Sequence, residues 1–463
     1  MSTIADAGDG LTRSTGEDGV LVLHALERAR HDPFRSFIAV AESAPRSSHP
    51  RAAFAGVPFA AKDNLEARGF PTTANTPALL GTSGTAESPV VAALRAVGAV
   101  LIGKTGMHEL ALGVTSSAAA FPATVNPRDS RRSAGGSSGG SGAAVAAGIV
   151  PFALGTDTGG SITIPAAWCG VYGFRPSTGR WSAQGTVPLS STRDTVGVIA
   201  ESVQWIAEVD RVVAPRYQGH RSGRPPKRSR MRIGIPDEDS EWVTHCDAEV
   251  ARAWMEALLI LAQVPDIELV PVVDPGLHRA ERSCGTTIEL YEISHELTRY
   301  LGRLPEPIPF GELRDRVARA EVRDLLDESL GHRNDQHGYA AALRLRSALQ
   351  RMHTEFHTAY ALDALLYPSV PMVASLLEAP RPRAEAAMGE RAPGDAGVFV
   401  RATRNVNPGS VAGAPALTVP APRYSEGLPV GLTLEGARFA DRRLIEVAGR
   451  VARRLHEHAD QLK

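Results

Sequence analysis

The sequence predicts an α/β protein, and three observations predict it. Apolar runs of strand length alternate with helical stretches at a spacing typical of strand-helix units. Glycine and proline mark the joins between them. Hydrophobic residues make up 43% of the 463, enough to bury a large core against the entropy of ordering the chain.

In chain order, VLVLHALERA from Val20 to Ala29 is amphipathic and reads as a helical cover, with DPFRSFIAV turning into an apolar stretch after it. GVPFAAKDN at 56–64 reads as an apolar strand that ends on a lysine, Lys62. Ser88 and Pro89 supply an N-cap and a first-turn proline for the helix VVAALRAV, which Gly98 ends. AVLIGK and PFALGTD (151–157) read as strands, with the small-residue helix SGAAVAAGI immediately before the second. The segment Arg216–Arg232 carries seven basic residues among Gly and Pro and reads as a solvated connection. From Tyr339 to Ala359 a helical period puts Leu345, Leu349, Met352 and Phe356 on one face, as core. Residues 378–397 are rich in Pro, Ala, Gly and charge and read as a loop.

Charge and cysteine content exclude several functions. A net charge of -1 gives no basic field for nucleic acid. The 3 cysteines contain no CxxC pair, so neither a disulfide framework nor a zinc site is expected. The first residues lack a signal-peptide core, and no run approaches the roughly 18 apolar residues of a membrane span. The expectation is a soluble cytoplasmic protein with no membrane partner.

The unusual composition lies at 133–161, SAGGSSGGSGAAVAAGIVPFALGTDTGGS. Glycines let backbone N–H groups approach a ligand closely, and serines put hydroxyls beside them. A P-loop does not fit, because no lysine occurs between 105 and 226; the dinucleotide fingerprint fails at Val145. Gly135-Gly136-Ser137-Ser138-Gly139 matches GxSxG, yet what precedes it, NPRDSRRSA, reads as a turn-rich loop rather than a strand. Ser161 ends GTDTGGS directly after an apolar strand, where successive N–H groups can converge on one oxygen. A plain tight turn accounts for that segment equally well when it is taken alone. A lysine in apolar surroundings, as Lys62 is, loses basicity and becomes usable as a general base.

The motifs GVPFAAKDN, GKTGMHELALG, NP at 126–127, GGSSGGSGAAVAAG, GTDTGGSITIPAAWCGVYGFRPS, TRDTVGVIA, DALLYPSVP, NVNPGSVAGAPALTVPA and GLPVGLTLEG resemble, in order and over most of the chain, the amidase signature family. The resemblance implies one domain over 1–463: a large mixed β-sheet covered by α-helices on both faces, catalytic motifs at 50–200, and a variable helical region at 205–400 that shapes the substrate pocket. It implies a nucleophile at Ser161, a bridging serine with a cis peptide at Ser137, a base at Lys62, and oxyanion donors on the backbone of Thr158, Gly159, Gly160 and Ser161. Ser138 and Asp157 support them. Neither metal nor organic cofactor enters the implied chemistry, and a homodimer is the family's habit.

One departure stands out. The family usually has an arginine just after the nucleophile, whereas Ile162, Thr163 and Ile164 stand here. Asp157 then needs another partner, for which Arg175 is the expectation, and a carboxylate-bearing substrate is disfavoured. The segments TPAL, HELA and RPS look nearest to mandelamide and indoleacetamide hydrolases, so the expected substrate is a small neutral amide. The alternatives are a glutaminase subunit of a tRNA-dependent amidotransferase, an acyl-transferring amidase and an idle scaffold. Cys169, Cys284 and His108 are expected to be packing residues.

Overall fold

The computed structural model describes residues 18–43, 52–82, 86–117, 120–215, 230–377, 393–422 and 427–459. Among the described residues thirteen strands are formed: β1 (Phe37–Val40), β2 (Pro58–Lys62), β3 (Val100–Thr105), β4 (Val125–Asn126), β5 (Asp129–Ser133), β6 (Phe152–Asp157), β7 (Tyr172–Arg175), β8 (Thr195–Ala200), β9 (Met231–Pro236), β10 (Ile267–Val272), β11 (Ala364–Pro368), β12 (Ala416–Pro420) and β13 (Gly431–Glu435). Eleven of them make one sheet in the order β1-β3-β2-β6-β8-β7-β12-β13-β11-β9-β10. It is mixed: β2 runs parallel to β3 and β6, whereas β8, β7, β12 and β13 follow as antiparallel neighbours.

Helices cover both faces, as side-chain alternation shows. Phe59 and Ala61 of β2 enter one hydrophobic cluster with α2 (Pro89–Ala96), α5 (Val203–Val213), α6 (Ala248–Ala262) and the last helix, Asp441–Ala459. Ala60, between them, faces a second cluster under α1 (Asp18–Arg30) and α3 (Gly139–Ala146). On β11, Ala364 and Leu366 join the first face. Leu365 and Tyr367 turn the other way, onto α7 (Leu277–Arg282), α8 (Gly285–Leu301) and α11 (Gln336–Ala359). Between α8 and α11 lie α9 (Phe310–Arg316) and α10 (Ala320–His332). The expected α/β class and two-faced cover are borne out.

Several local expectations are corrected. The middle third is not purely helical, since β9, β10 and β11 build one end of the sheet. The stretch before Ser137 is not a loop: β4 and β5 pair as a two-stranded hairpin. Ser88 occupies the N-cap position of α2 without a side-chain cap bond; its carbonyl accepts Ala92 N–H at 2.9 Å. Leu345 is 45% exposed, because it stands at the edge of a stripe whose buried members are Ala342, Leu349, His353, Phe356 and His357. Of the 378–397 stretch, residues 393–397 lie in helix α12 (Pro393–Thr403), opened by a proline in its first turn, and 378–392 lie outside the described residues. The basic connection lies mostly outside them too, and its last residues begin β9. After α12 come α13 (Asn407–Ala412) and α14 (Asp441–Ala459).

Candidate active site

Adjacent parallel strands β2 and β6 end on the same edge of the sheet, in register from Phe59 opposite Phe152 to Ala61 opposite Leu154. That register brings Lys62 beside Thr156. The fully buried Nζ of Lys62 donates to Thr156 Oγ1 at 2.8 Å and lies 2.7 Å from Ser137 Oγ. Asn64 Nδ2 also donates to Thr156 Oγ1, at 3.1 Å. Burial pulls the lysine down to about 7, against Asp157 and Asp194, whose negative charges pull it up.

Ser137 follows the hairpin, in the turn that enters α3, and its peptide with Gly136 is cis. Its carbonyl accepts His108 N–H at 3.0 Å. Ser138 ties the turn to β6: its hydroxyl donates to Thr156 O at 3.2 Å, and its N–H donates to Ser161 O at 3.3 Å. The expected bridging and supporting serines thus stand between Lys62 and the loop after β6.

That loop is shaped by Asp157, whose two carboxylate oxygens accept Gly160 N–H and Ile162 N–H, each at 2.8 Å. Gly160 has φ +107, and a Cβ there would stand 2.6 Å from Val406 Cγ2, so only glycine fits. Asp157 takes the Gly160 N–H, which removes Gly160 from the expected oxyanion donors. Among the described residues the N–H groups of Thr158, Gly159 and Ser161 make no hydrogen bond, nor does Ser161 Oγ. Ser161 is 8% exposed, whereas Ser137 and Lys62 have no exposure. In place of an arginine after Ser161, Ile162, Thr163 and Ile164 are buried, and Arg175 Nη1 lies 3.6 Å from Asp157 Oδ1.

Sequence reasoning missed the frame around these residues. Thr158 donates its hydroxyl to Asp194 at 2.6 Å, and its carbonyl accepts from Arg193 Nε at 3.0 Å and Ser410 Oγ at 2.7 Å. Burial pushes Asp194 up to about 6, against the hydrogen bonds it accepts. Asp194 and Arg193 stand inside TRDTVG, so the motif itself was the available signal. A narrow cavity adjoins the site, lined by Asn64, Thr156, Thr158, Leu189, Asp194 and Val196 among others.

Cys169 is buried and pushed up to about 12 by that burial, and its thiol donates to Ala134 O at 3.2 Å, as a packing residue does. Cys284 is buried as well. His108 is held well below its ordinary value by burial, with Arg319 and Lys62 adding to the effect. Away from these residues, His353 and His357 on α11 and Glu435 on β13 form a buried group of nitrogen and carboxylate donors with a metal-binding composition. Burial and the neighbouring His353 bring His357 down to about 3.

This sheet, with a buried lysine of lowered pKa beside two serines and a glycine loop at the ends of its strands, has the architecture of an amidohydrolase. Residues 32–445 match the family model described as Amidase, and the chain belongs to that family of enzymes acting on amide carbon-nitrogen bonds. It is 36% identical over 393 residues to the indoleacetamide hydrolase of Pseudomonas savastanoi, covering 84% of this chain and 81% of the relative. It is 34% identical over 410 residues to the mandelamide hydrolase of Pseudomonas putida, covering 85% and 77%. The crystal structure of the peptide amidase from Stenotrophomonas maltophilia superposes with a TM-score of 0.77 at 26% identity, covering 97% of each chain. Among the described residues no helix is long and apolar enough to cross a membrane.

Proposed function

We propose that the protein hydrolyses small, neutral, aryl-bearing primary amides through a Ser161 acyl-enzyme. The carrying observation is the 2.7 Å separation of Lys62 Nζ from Ser137 Oγ at a fully buried position, where burial brings the lysine to about 7. A neutral amine there accepts the Ser137 proton while Ser137 takes the proton of Ser161, whose oxygen attacks the amide carbon. The N–H groups of Thr158, Gly159 and Ser161 are free to receive the oxyanion. Ser137 returns a proton to the leaving nitrogen as the carbon-nitrogen bond breaks, ammonia departs, and water repeats the relay on the ester.

The substrate reading rests on the two hydrolase relatives and on charge. Ile162 and Ile164 replace a cation after Ser161, and Arg193, near Gly159, is committed to Thr158 O and to Glu289 at 2.9 Å. A carboxylate on the substrate therefore has no unpaired cation offered to it by these residues. The three cysteines are free thiols, in keeping with a reducing cytoplasm, and the single large sheet is in keeping with one catalytic unit.

The test is ammonia release by the purified chain alone from arylacetamides, aliphatic amides, carboxylate-bearing amides and amino-acid amides. Arylacetamides are expected to be turned over best, and Ser161→Ala to lower kcat by about 10⁴-fold or more while remaining folded. Absence of turnover on every aryl amide overturns the substrate reading. Activity appearing only with added protein partners favours the amidotransferase-subunit alternative.

A further inference from the structure

Alternation along β13 sends Leu432 and Leu434 into the cluster on one face of the sheet and Glu435 to the opposite face, under α11. On α11, His353 and His357 are four residues apart, so both rings project from one side of the helix, and that side is the buried one. His353, His357 and Glu435 are 1%, 3% and 1% exposed. One donor atom from each lies within 4.8 Å of the others.

The hydrogen bonds leave this group incomplete. His353 Nε2 lies 2.9 Å from Glu435 Oε1. Both ring nitrogens of His357 and Nδ1 of His353 are buried with no hydrogen-bond partner. Buried imidazole nitrogens are nearly always partnered, and neither nitrogen of the His357 ring is, so the lone pair of that neutral ring points to a missing partner that accepts it. Tyr367 Oη donates to Glu435 Oε2 at 2.8 Å, the outer hydrogen bond that orients a ligating carboxylate. A Cβ on Gly409 would fall 1.7 Å from Glu435 Oε2, so the carboxylate is also wedged from behind.

We infer that His353, His357 and Glu435 form a closed structural site for one divalent first-row metal ion, with zinc the best fit to two imidazoles and a carboxylate. Zinc takes such donors at about 2.0–2.2 Å, which in a tetrahedral site sets neighbouring donors about 3.4 Å apart, so a pair standing as far apart as 4.8 Å closes by more than an ångström on loading. The tautomer of His353 with its proton on Nδ1 frees Nε2 for the ion. A water completes the fourth position. Arg175 Nη2, 3.8 Å from Glu435 Oε2, opposes the ion's charge, and Asp157 on its other side at 3.6 Å offsets that opposition. The ion would brace α11 to the sheet strand whose carboxylate, through Arg175, adjoins Asp157 and the Ser161 loop. It takes no part in bond breaking.

The test uses untagged full-length protein. Elemental analysis of the purified protein, with Zn²⁺ and Co²⁺ titrations in competition with a chromophoric chelator, is expected to give one ion per chain and a visible four-coordinate cobalt spectrum. Chelation should lower Tm and added Zn²⁺ restore it. Tyr367→Phe should weaken binding by about ten-fold, and His357→Gln by about a hundred-fold or more, with the Tm response lost. If His357→Gln does not fold, the wild-type cobalt spectrum and Tyr367→Phe still decide the matter. Less than a tenth of an ion per chain, with no cobalt spectrum and no effect of Zn²⁺ on Tm, overturns the inference and leaves only the His353–Glu435 hydrogen bond.

Discussion

The Asp157 carboxylate and the Arg175 guanidinium lie 3.6 Å apart on one face of the sheet, 0% and 2% exposed. Arg175 comes from β7, two strands from β6 in the sheet order, so the counter-charge for the Ser161 loop rises from the sheet and not from the loop itself. The positions after Ser161 are thereby released to carry isoleucines, and the loop keeps its frame through the two N–H bonds to Asp157.

Asp157→Asn should cost about 3 kcal/mol or more in a denaturant titration, because it leaves a buried arginine short of its partner. An amide group also presents an N–H₂ to one of the two N–H donors that the carboxylate accepts. Turnover is expected to fall by about a hundred-fold as the oxyanion donors shift. Arg175→Met in the same background should recover part of the stability, since both members of the buried pair are then gone.

Lys62 sets the pH dependence. Its folded value of about 7 lies far below the ordinary 10.5 that the unfolded chain retains. Activity should therefore rise with pH along an acid limb near 7, as the neutral amine appears. Between about pH 7 and 10.5 the unfolded chain binds the extra proton, so stability gains from this group as pH rises and loses as pH falls. Lys62→Met is expected to abolish turnover and to flatten that slope. Profiles of kcat/KM and denaturation midpoints across the range check both.

Thr156→Val probes the same lysine from its other side. The Thr156 hydroxyl accepts from Nζ and thereby favours the ammonium. Its removal should move the acid limb below 7, while the lost partner of Asn64 Nδ2 costs about 1–2 kcal/mol. A limb that moves upward would contradict the geometry.

Lys62, Ser137 and Ser161, on which the proposed mechanism rests, can be singled out in the sequence because each stands in a short segment of unusual composition. Thr156 and Asn64 stand in those same segments, but their role depends on the register of β2 against β6, which sequence periodicity does not contain. Spacing places the Gly160 N–H on the loop without showing that Asp157 accepts it. Strands β9, β10 and β11 escaped notice as short runs among long helices. An apolar template puts Leu345 inside and overlooks His353 and His357 for a common reason: it counts only apolar residues, whereas α11 buries two imidazoles on its inner face. Glu435, their counterpart, is 78 positions beyond His357, and only the sheet brings it under that helix.

Gly160→Ala separates backbone conformation from contact. With φ +107 and Val406 Cγ2 at 2.6 Å from the added carbon, the variant meets an unfavourable backbone region and a collision together. A loss of about 2–3 kcal/mol and a fall in kcat of about a hundred-fold are expected, since the loop must shift the Ser161 N–H to relieve it. Gly179→Ala is the control: φ there is +84, and nothing lies within 4 Å of the new carbon. It should cost only the backbone component, about 1 kcal/mol, and leave kcat unchanged. Equal stability losses in the two variants would mean that the collision with Val406 relaxes freely. Unchanged turnover in Gly160→Ala would mean that the loop does not hold the oxyanion donors.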